Sequence, residues 1–220
     1  MLVPPAPTKI LCVGRNYLDH ARELGNEPPA EPLFFLKPPS ALVADGEAIV
    51  LPPGVGRVDF EGEVAFVVGR RTRGARPDQG WEALSHVLAM NDVTARDLQR
   101  TDGQWTRAKG FDTFAPAGEP VPLSELRARG LDPARLQVET RVNGELRQSG
   151  GLEQLVFPVP ELVAWISGVM TLEPGDLLLT GTPAGVGPLS PGDEVEVRIP
   201  GVGAVRNPVR LGGTDPAVRV

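Results

Sequence analysis

Val58-Asp59-Phe60-Glu61-Gly62-Glu63-Val64-Ala65-Phe66-Val67-Val68 is the stretch on which the reading of this chain turns. Pro52-Pro53-Gly54 precedes it, and a charged loop over 70–79 follows. Taken as one strand, its alternate side chains divide onto two faces. Val58, Phe60, Gly62, Val64, Phe66 and Val68 make one face almost wholly apolar. The other face opens with Asp59, Glu61 and Glu63 and turns apolar at Ala65 and Val67. Three acids therefore crowd one end of a face whose other end is buried. Like charges so placed either stay in water or need a cation between them.

Working outward, Asp92 closes a second apolar strand, Val87-Leu88-Ala89-Met90, and can meet the acids from a neighbouring strand. Carboxylate oxygens with no nearby cysteine and little histidine favour a hard ion, Mg²⁺, Mn²⁺ or Ca²⁺, over zinc. A solvated acidic strand end is the commoner origin of such spacing, and spacing alone leaves both readings open. Upstream, a strand over Lys9–Val13 leads into a helix over Tyr17–Leu24, with Asn16 as N-cap and Gly25 closing it. On that helix His20 and Glu23 share a face. A carboxylate that fixes an imidazole makes a general base, although an incidental polar pair has the same spacing. His86 has no acid partner in this reading.

The remaining pattern is β-rich. Leu33–Leu36 is a short strand, Trp81–Leu84 opens a short helix, and Thr94–Arg100 is a helical turn or two. Val138–Val142 and Glu145–Gln148 form a hairpin, because Asn143-Gly144 supplies the positive φ angles of a two-residue turn. A helix runs over Pro158–Met170, and strands at Leu177–Thr180 and Glu194–Ile199 each follow a Pro-Gly-Asp turn. No linker divides the chain. The expectation is one α+β, β-dominated catalytic domain over 9–212, with short tails at 1–8 and 213–220.

Composition narrows the function. The chain has 220 residues and a net charge of −6, with no Lys/Arg block long enough to track phosphates, so nucleic acid is not an expected partner. No apolar run reaches the roughly 18 residues of a membrane span, and Cys12 is the single cysteine. A cytoplasmic protein without disulfides is expected. Lysine occurs only at 9, 37 and 109, against nineteen arginines, so each lysine is a candidate for a specific task.

Together these residues resemble the fumarylacetoacetate hydrolase family, in particular its short single-domain members such as acylpyruvate hydrolases. The resemblance rests on seven segments in order: Val13-Gly14-Arg15-Asn16-Tyr17 with Asp19-His20 and Glu23; Phe35-Leu36-Lys37-Pro38; Asp59 to Glu63; Asn91 to Gln99; Ala108 to Asp112; Val142 to Glu145; and Thr180 to Gly187. It implies a mixed β-sandwich roll with short flanking helices, a homodimer, and one divalent ion, Mg²⁺ or Mn²⁺ with Ca²⁺ as an alternative. Glu61, Glu63 and Asp92 fall on the family's metal ligands. His20 and Glu23 fall on its catalytic pair, with Lys109, taken as an exposed side chain, as a third catalytic group. Arg15, Tyr17, Gln99 and Thr182 fall on substrate contacts. Residues 11–18 lack the further acidic ligand of longer members. The activity implied is hydrolysis of a carbon–carbon bond in small 2,4-dioxo acids, acylpyruvates or fumarylpyruvate-like compounds, through a metal-stabilised pyruvate enolate. The alternative is 5-carboxymethyl-2-hydroxymuconate isomerase, oxo-acid decarboxylase or oxaloacetate tautomerase chemistry of aromatic catabolism.

Overall fold

A computed structural model describes residues 6–23 and 29–213. Its first half runs β1 (Ile10–Gly14), α1 (Leu18–Glu23), β2 (Leu33–Lys37), β3 (Leu42–Ala44), β4 (Ile49–Leu51), β5 (Val58–Phe60), β6 (Gly62–Val68), β7 (Leu84–Asn91), β8 (Thr94–Ala95), α2 (Arg96–Thr101) and α3 (Thr106–Lys109). There follow β9 (Ala115–Ala117), β10 (Val121–Pro122), α4 (Leu123–Ala128), β11 (Gln137–Val142), β12 (Glu145–Gly151), α5 (Val159–Val169), β13 (Leu177–Leu179), β14 (Gly187–Pro188), β15 (Glu194–Ile199) and β16 (Gly203–Leu211).

The strands form three sheets. The largest has the order β2-β1-β13-β6-β7-β9-β3, with β10 added on β7. It is mixed, since β1 pairs parallel with β13 while β6 pairs antiparallel with β7 and β13. A five-stranded sheet, β12-β11-β15-β16-β4, packs across one face, and a small sheet, β14-β5-β8, caps one end. Every residue of β6 is buried. Val64 and Phe66 enter the core shared with Val138, Val197 and α5, whereas Ala65 and Val67 enter a second core with Ile10, Leu88 and Leu179. Each large apolar side chain so buried stabilises by roughly 1.5–3 kcal/mol. Among the described residues no helix is long and apolar enough to cross a membrane.

Two expectations need correction. The run 58–68 is two strands, because the chain breaks at Glu61, where it passes from the small sheet into the large one. There the Glu61 N–H donates to the Asn91 side chain and the Gly62 N–H to the Gln148 side chain, in place of ladder partners. Asn16 does not cap α1. Its amide donates to the carbonyls of Phe157 and Thr180 and accepts from the Phe157 N–H, tying three distant segments together. Leu24 and Gly25, the expected end of that helix, lie outside the described residues. The hairpin is as expected, with Asn143 at φ 52° and Gly144 at φ 81°.

Candidate metal centre and active site

The break at Glu61 builds the site. The neighbouring strand β7 ends beside it, and the Asp92 N–H donates to the Glu61 carbonyl at 2.8 Å. β5 and β8 then pair with each other in the small sheet, Asp59 facing Thr94. Glu61 and Asp92 thus leave the large sheet together, while Glu63, two residues on, shares the acidic face. A ligand oxygen from each of Glu61, Glu63 and Asp92 lies within 4.8 Å of the others, and all three residues are buried.

Three cations surround this charge. Lys109 Nζ donates to Glu61 Oε2 at 2.7 Å and to Asp92 Oδ2 at 2.6 Å. Lys37 Nζ donates to Asp92 Oδ1 at 2.5 Å and to the Val93 carbonyl. The Arg96 guanidinium donates to Glu61 Oε1 at 2.6 Å, to Asp59 Oδ2 at 3.0 Å and to Gln99 Oε1 at 2.6 Å. Asp59, expected beside the other acids, is instead held by Arg57 and Arg96. Lys109, expected to be exposed, is 1% exposed. Sequence spacing could not show that its ammonium lies between two carboxylates drawn from different strands.

The electrostatics differ sharply among the acids. Burial opposes ionisation of Glu61, but Lys109, Arg96 and His20 outweigh it and hold the carboxyl far below the usual range. Burial, then the charges of Asp92 and Glu61, push Glu63 well above it. Burial opposes the charge on Lys109 too, yet Asp92 and Glu61 raise its pKa. Cys12 lies near enough to feel the same charges, and burial followed by Asp92 keeps it a neutral thiol.

The donor set suits a hard divalent ion. An ionised carboxylate has about four lone-pair sites. Glu61 and Asp92 each accept two of the bonds described, and Glu63 accepts one, from the Gly181 N–H at 2.7 Å. Acceptor capacity therefore remains on all three. Adding positive charge would also relieve the unfavourable ionisation of Glu63.

A cavity of about 530 Å³ opens on this centre, lined by Arg15, Glu23, Glu61, Asp92, Gln99 and Lys109 among others. Arg15, in the left-handed region at φ 57°, has no ion pair or hydrogen bond among the described residues. On α1, His20 Nδ1 lies 3.2 Å from Glu23 Oε2. Glu23 also accepts from the Gly185 N–H, which seats the helix on the 180–187 loop. His20 is 5% exposed and does not itself line the cavity. Neither do Tyr17 and Thr182. The Tyr17 ring is buried in the core with no partner for its hydroxyl among the described residues. The Thr182 hydroxyl donates to the Gly62 carbonyl and accepts from Gln148. Asp19 makes an exposed pair with Arg22, and His86 meets Ser85.

Sequence reasoning missed Lys37 and Arg96 as members of this centre. The scarcity of lysine was a signal for the first. Arg96 carried none, in a chain whose routine surface cation is arginine.

Comparison with known proteins gives a consistent result. The fumarylacetoacetate (FAA) hydrolase C-terminal family matches residues 9–210. The mitochondrial oxaloacetate tautomerase of Arabidopsis thaliana is 41% identical over 203 residues, covering 90% of this chain and 89% of the relative. Among solved structures, the 5-carboxymethyl-2-hydroxymuconate delta-isomerase of Mycobacterium smegmatis is 42% identical with a TM-score of 0.87, covering 97% of this chain and 83% of that one. The fumarylpyruvate hydrolase of Pseudomonas aeruginosa, solved with Mn²⁺ and pyruvate, is 33% identical with a TM-score of 0.87, covering 94% and 91%.

Proposed function

The chain belongs to the fumarylacetoacetate hydrolase family, and from that premise we propose that it is a divalent-metal enzyme that cleaves a carbon–carbon bond in small 2,4-dioxo acids. The observation that carries this reading is the buried meeting of Glu61, Glu63 and Asp92, two of which, Glu61 and Asp92, line a cavity whose wall also bears Glu23, the partner of His20. These three carboxylates would hold Mg²⁺ or Mn²⁺. Such an ion, when bound, supplies Lewis-acid charge to the adjacent oxygens of a 2-oxo acid.

The chain's own residues do the rest. With Nδ1–H donating to Glu23, His20 keeps Nε2 as the atom that accepts a proton. In hydrolysis that proton comes from the water attacking the distant carbonyl, and the bond to the pyruvate fragment then breaks. Lys109, held charged, stands where negative charge gathers on that fragment. Gln99 and Arg15 on the cavity wall are placed to hold the substrate. Arg57 and Arg100 on that wall are paired with Asp59 and Asp97, so among the described residues Arg15 is the arginine there with its charge available to a substrate carboxylate.

A second reading is favoured by the higher identity to the tautomerase and the isomerase than to the hydrolase. Here His20 would move a proton between substrate atoms without attack by water. Incubating the protein and Mn²⁺ with acylpyruvates, fumarylpyruvate, oxaloacetate and hydroxymuconates in D₂O separates the two. Pyruvate with a second acid marks hydrolysis, whereas deuterium entering an uncleaved substrate faster than in the enzyme-free control marks isomerisation. His20→Ala should lower either activity about 10²–10⁴-fold. Undiminished turnover by this variant would show that another group moves the proton.

A further inference from the structure

Gln148 is a buried polar side chain that the chemistry above does not use. It stands on β12, in the five-stranded sheet, and is 1% exposed. Its Oε1 accepts from the Gly62 N–H at 3.0 Å, and its Nε2 donates to Thr182 Oγ1 and to the Pro183 carbonyl, both at 2.7 Å. These partners fix which way the amide points, because a backbone N–H only donates and a carbonyl only accepts. The Thr182 hydroxyl in turn donates to the Gly62 carbonyl at 2.9 Å. The N–H of Gly62 is thus held from the five-stranded sheet, and its carbonyl by the loop after β13, to which Gln148 is itself bonded.

Gly62 is the residue between Glu61 and Glu63. It can carry no side chain, since a Cβ there would lie 1.9 Å from Thr140 Oγ1, and this lets the five-stranded sheet reach the strand break. The loop that Gln148 holds also bears Gly181, whose N–H donates to Glu63 Oε2. One amide therefore links the backbone between two of the acids to the loop that orients one of them. Thr140 is a neighbour of a different kind. It is fully buried in the same interface, but its hydroxyl has no partner among the described residues.

We propose that Gln148 is a positioning residue for the carboxylate centre, setting the spacing of Glu61 and Glu63 and the donor on Glu63. The proposal rests on the reading that Glu61, Glu63 and Asp92 bind a divalent ion. Groups behind metal ligands typically change affinity by roughly 10–100-fold when removed. Gln148→Met, which preserves length and loses all three hydrogen bonds, should weaken Mn²⁺ binding by a factor in that range.

The test is calorimetric titration of the full chain with Mn²⁺, for the wild type, Gln148→Met and Thr140→Val, after circular dichroism shows each folded. Thr140→Val should bind as the wild type does, because it removes no hydrogen bond. Should Gln148→Met fail to fold, Gln148→Asn takes its place. It retains the amide at shorter reach and should lose affinity in the same direction by a smaller factor. A folded Gln148 variant that binds Mn²⁺ within about twofold of wild type overturns the proposal, as does an equal loss in Thr140→Val. A wild type that binds no Mn²⁺ overturns the metal reading itself, a result distinct from both.

Discussion

Asp176 and Glu63 are both buried carboxylates, and they stand in opposite electrostatic circumstances. Asp176, just before β13, is fully buried and accepts from five donors: the N–H and hydroxyl of Thr8, the N–H and ammonium of Lys9, and the N–H of Glu173. Burial opposes its ionisation, but the bonds from Lys9, Glu173 and Thr8 lower its pKa. Glu63 accepts one backbone bond and faces two other acids, so its pKa is raised. The first carboxylate is satisfied by the chain alone. Among the described residues the second is not, and that deficit is what the proposed metal site rests on.

The largest effect expected on this contrast is from Glu63→Ala. Loss of a ligand removes the contribution of the ion, worth several kcal/mol to the transition state, so kcat/KM should fall at least about 1000-fold. The metal-free variant should remain folded, which circular dichroism checks, so that the loss is one of the site and not of the fold. Retained Mn²⁺ affinity would dismiss Glu63 as a ligand.

Asp176→Ala should do the reverse. Stranding the Lys9 ammonium and four backbone or hydroxyl donors should cost about 3 kcal/mol in urea denaturation, with Mn²⁺ affinity unchanged in the folded protein. A loss of metal affinity in this variant would erase the contrast between the two regions.

Acidity sharpens the comparison further. A carboxyl whose folded pKa is lowered contributes stability that is complete above the unfolded value and lost as pH falls through the folded one. Asp176 and Glu61 are therefore level above the ordinary carboxyl range near pH 4. Glu63 has the opposite sign. Its raised pKa means the folded state binds the extra proton, so stability falls as pH rises from the unfolded value towards the folded one. The metal-free wild type should lose stability relative to Glu63→Gln across that window, and denaturation at stepped pH measures the difference. Parallel curves would show that Glu63 ionises as an ordinary carboxyl.

The smallest effect is on proton balance. Mn²⁺ binding should release a proton from Glu63, so affinity weakens as pH falls. Calorimetry in buffers of different ionisation enthalpy reads that release directly. An identical heat in every buffer would contradict it.

Much of this was legible in the chain. The unbroken apolar run from Val64 to Val68 placed a buried central strand, Asn143-Gly144 placed a hairpin, and the order of seven short segments placed the family. These features depend on residues near one another in sequence, where side-chain period and turn chemistry act directly. The spacing of Glu61 with Glu63 and of His20 with Glu23 was visible for the same reason, whereas Asp92 was fixed as the third acid, and both groups acquired a role, only through the family resemblance. What the chain alone did not reveal was how each group is held. Asn16 read as a helix cap because its neighbours are helical, but its partners are Phe157 and Thr180. Lys109 read as exposed because nothing local pairs with it, but Glu61 and Asp92 arrive from two other elements. The break at Glu61, the cations Lys37 and Arg96, and the clamp of Gln148 on Gly62 all depend on contacts between residues thirty or more positions apart. The sequence by itself determined which chemical groups this protein possesses and which faces it buries. Only the tertiary structure decided which charges meet, because burial in a shared low-dielectric centre is a property of the packed sheets and not of any one strand.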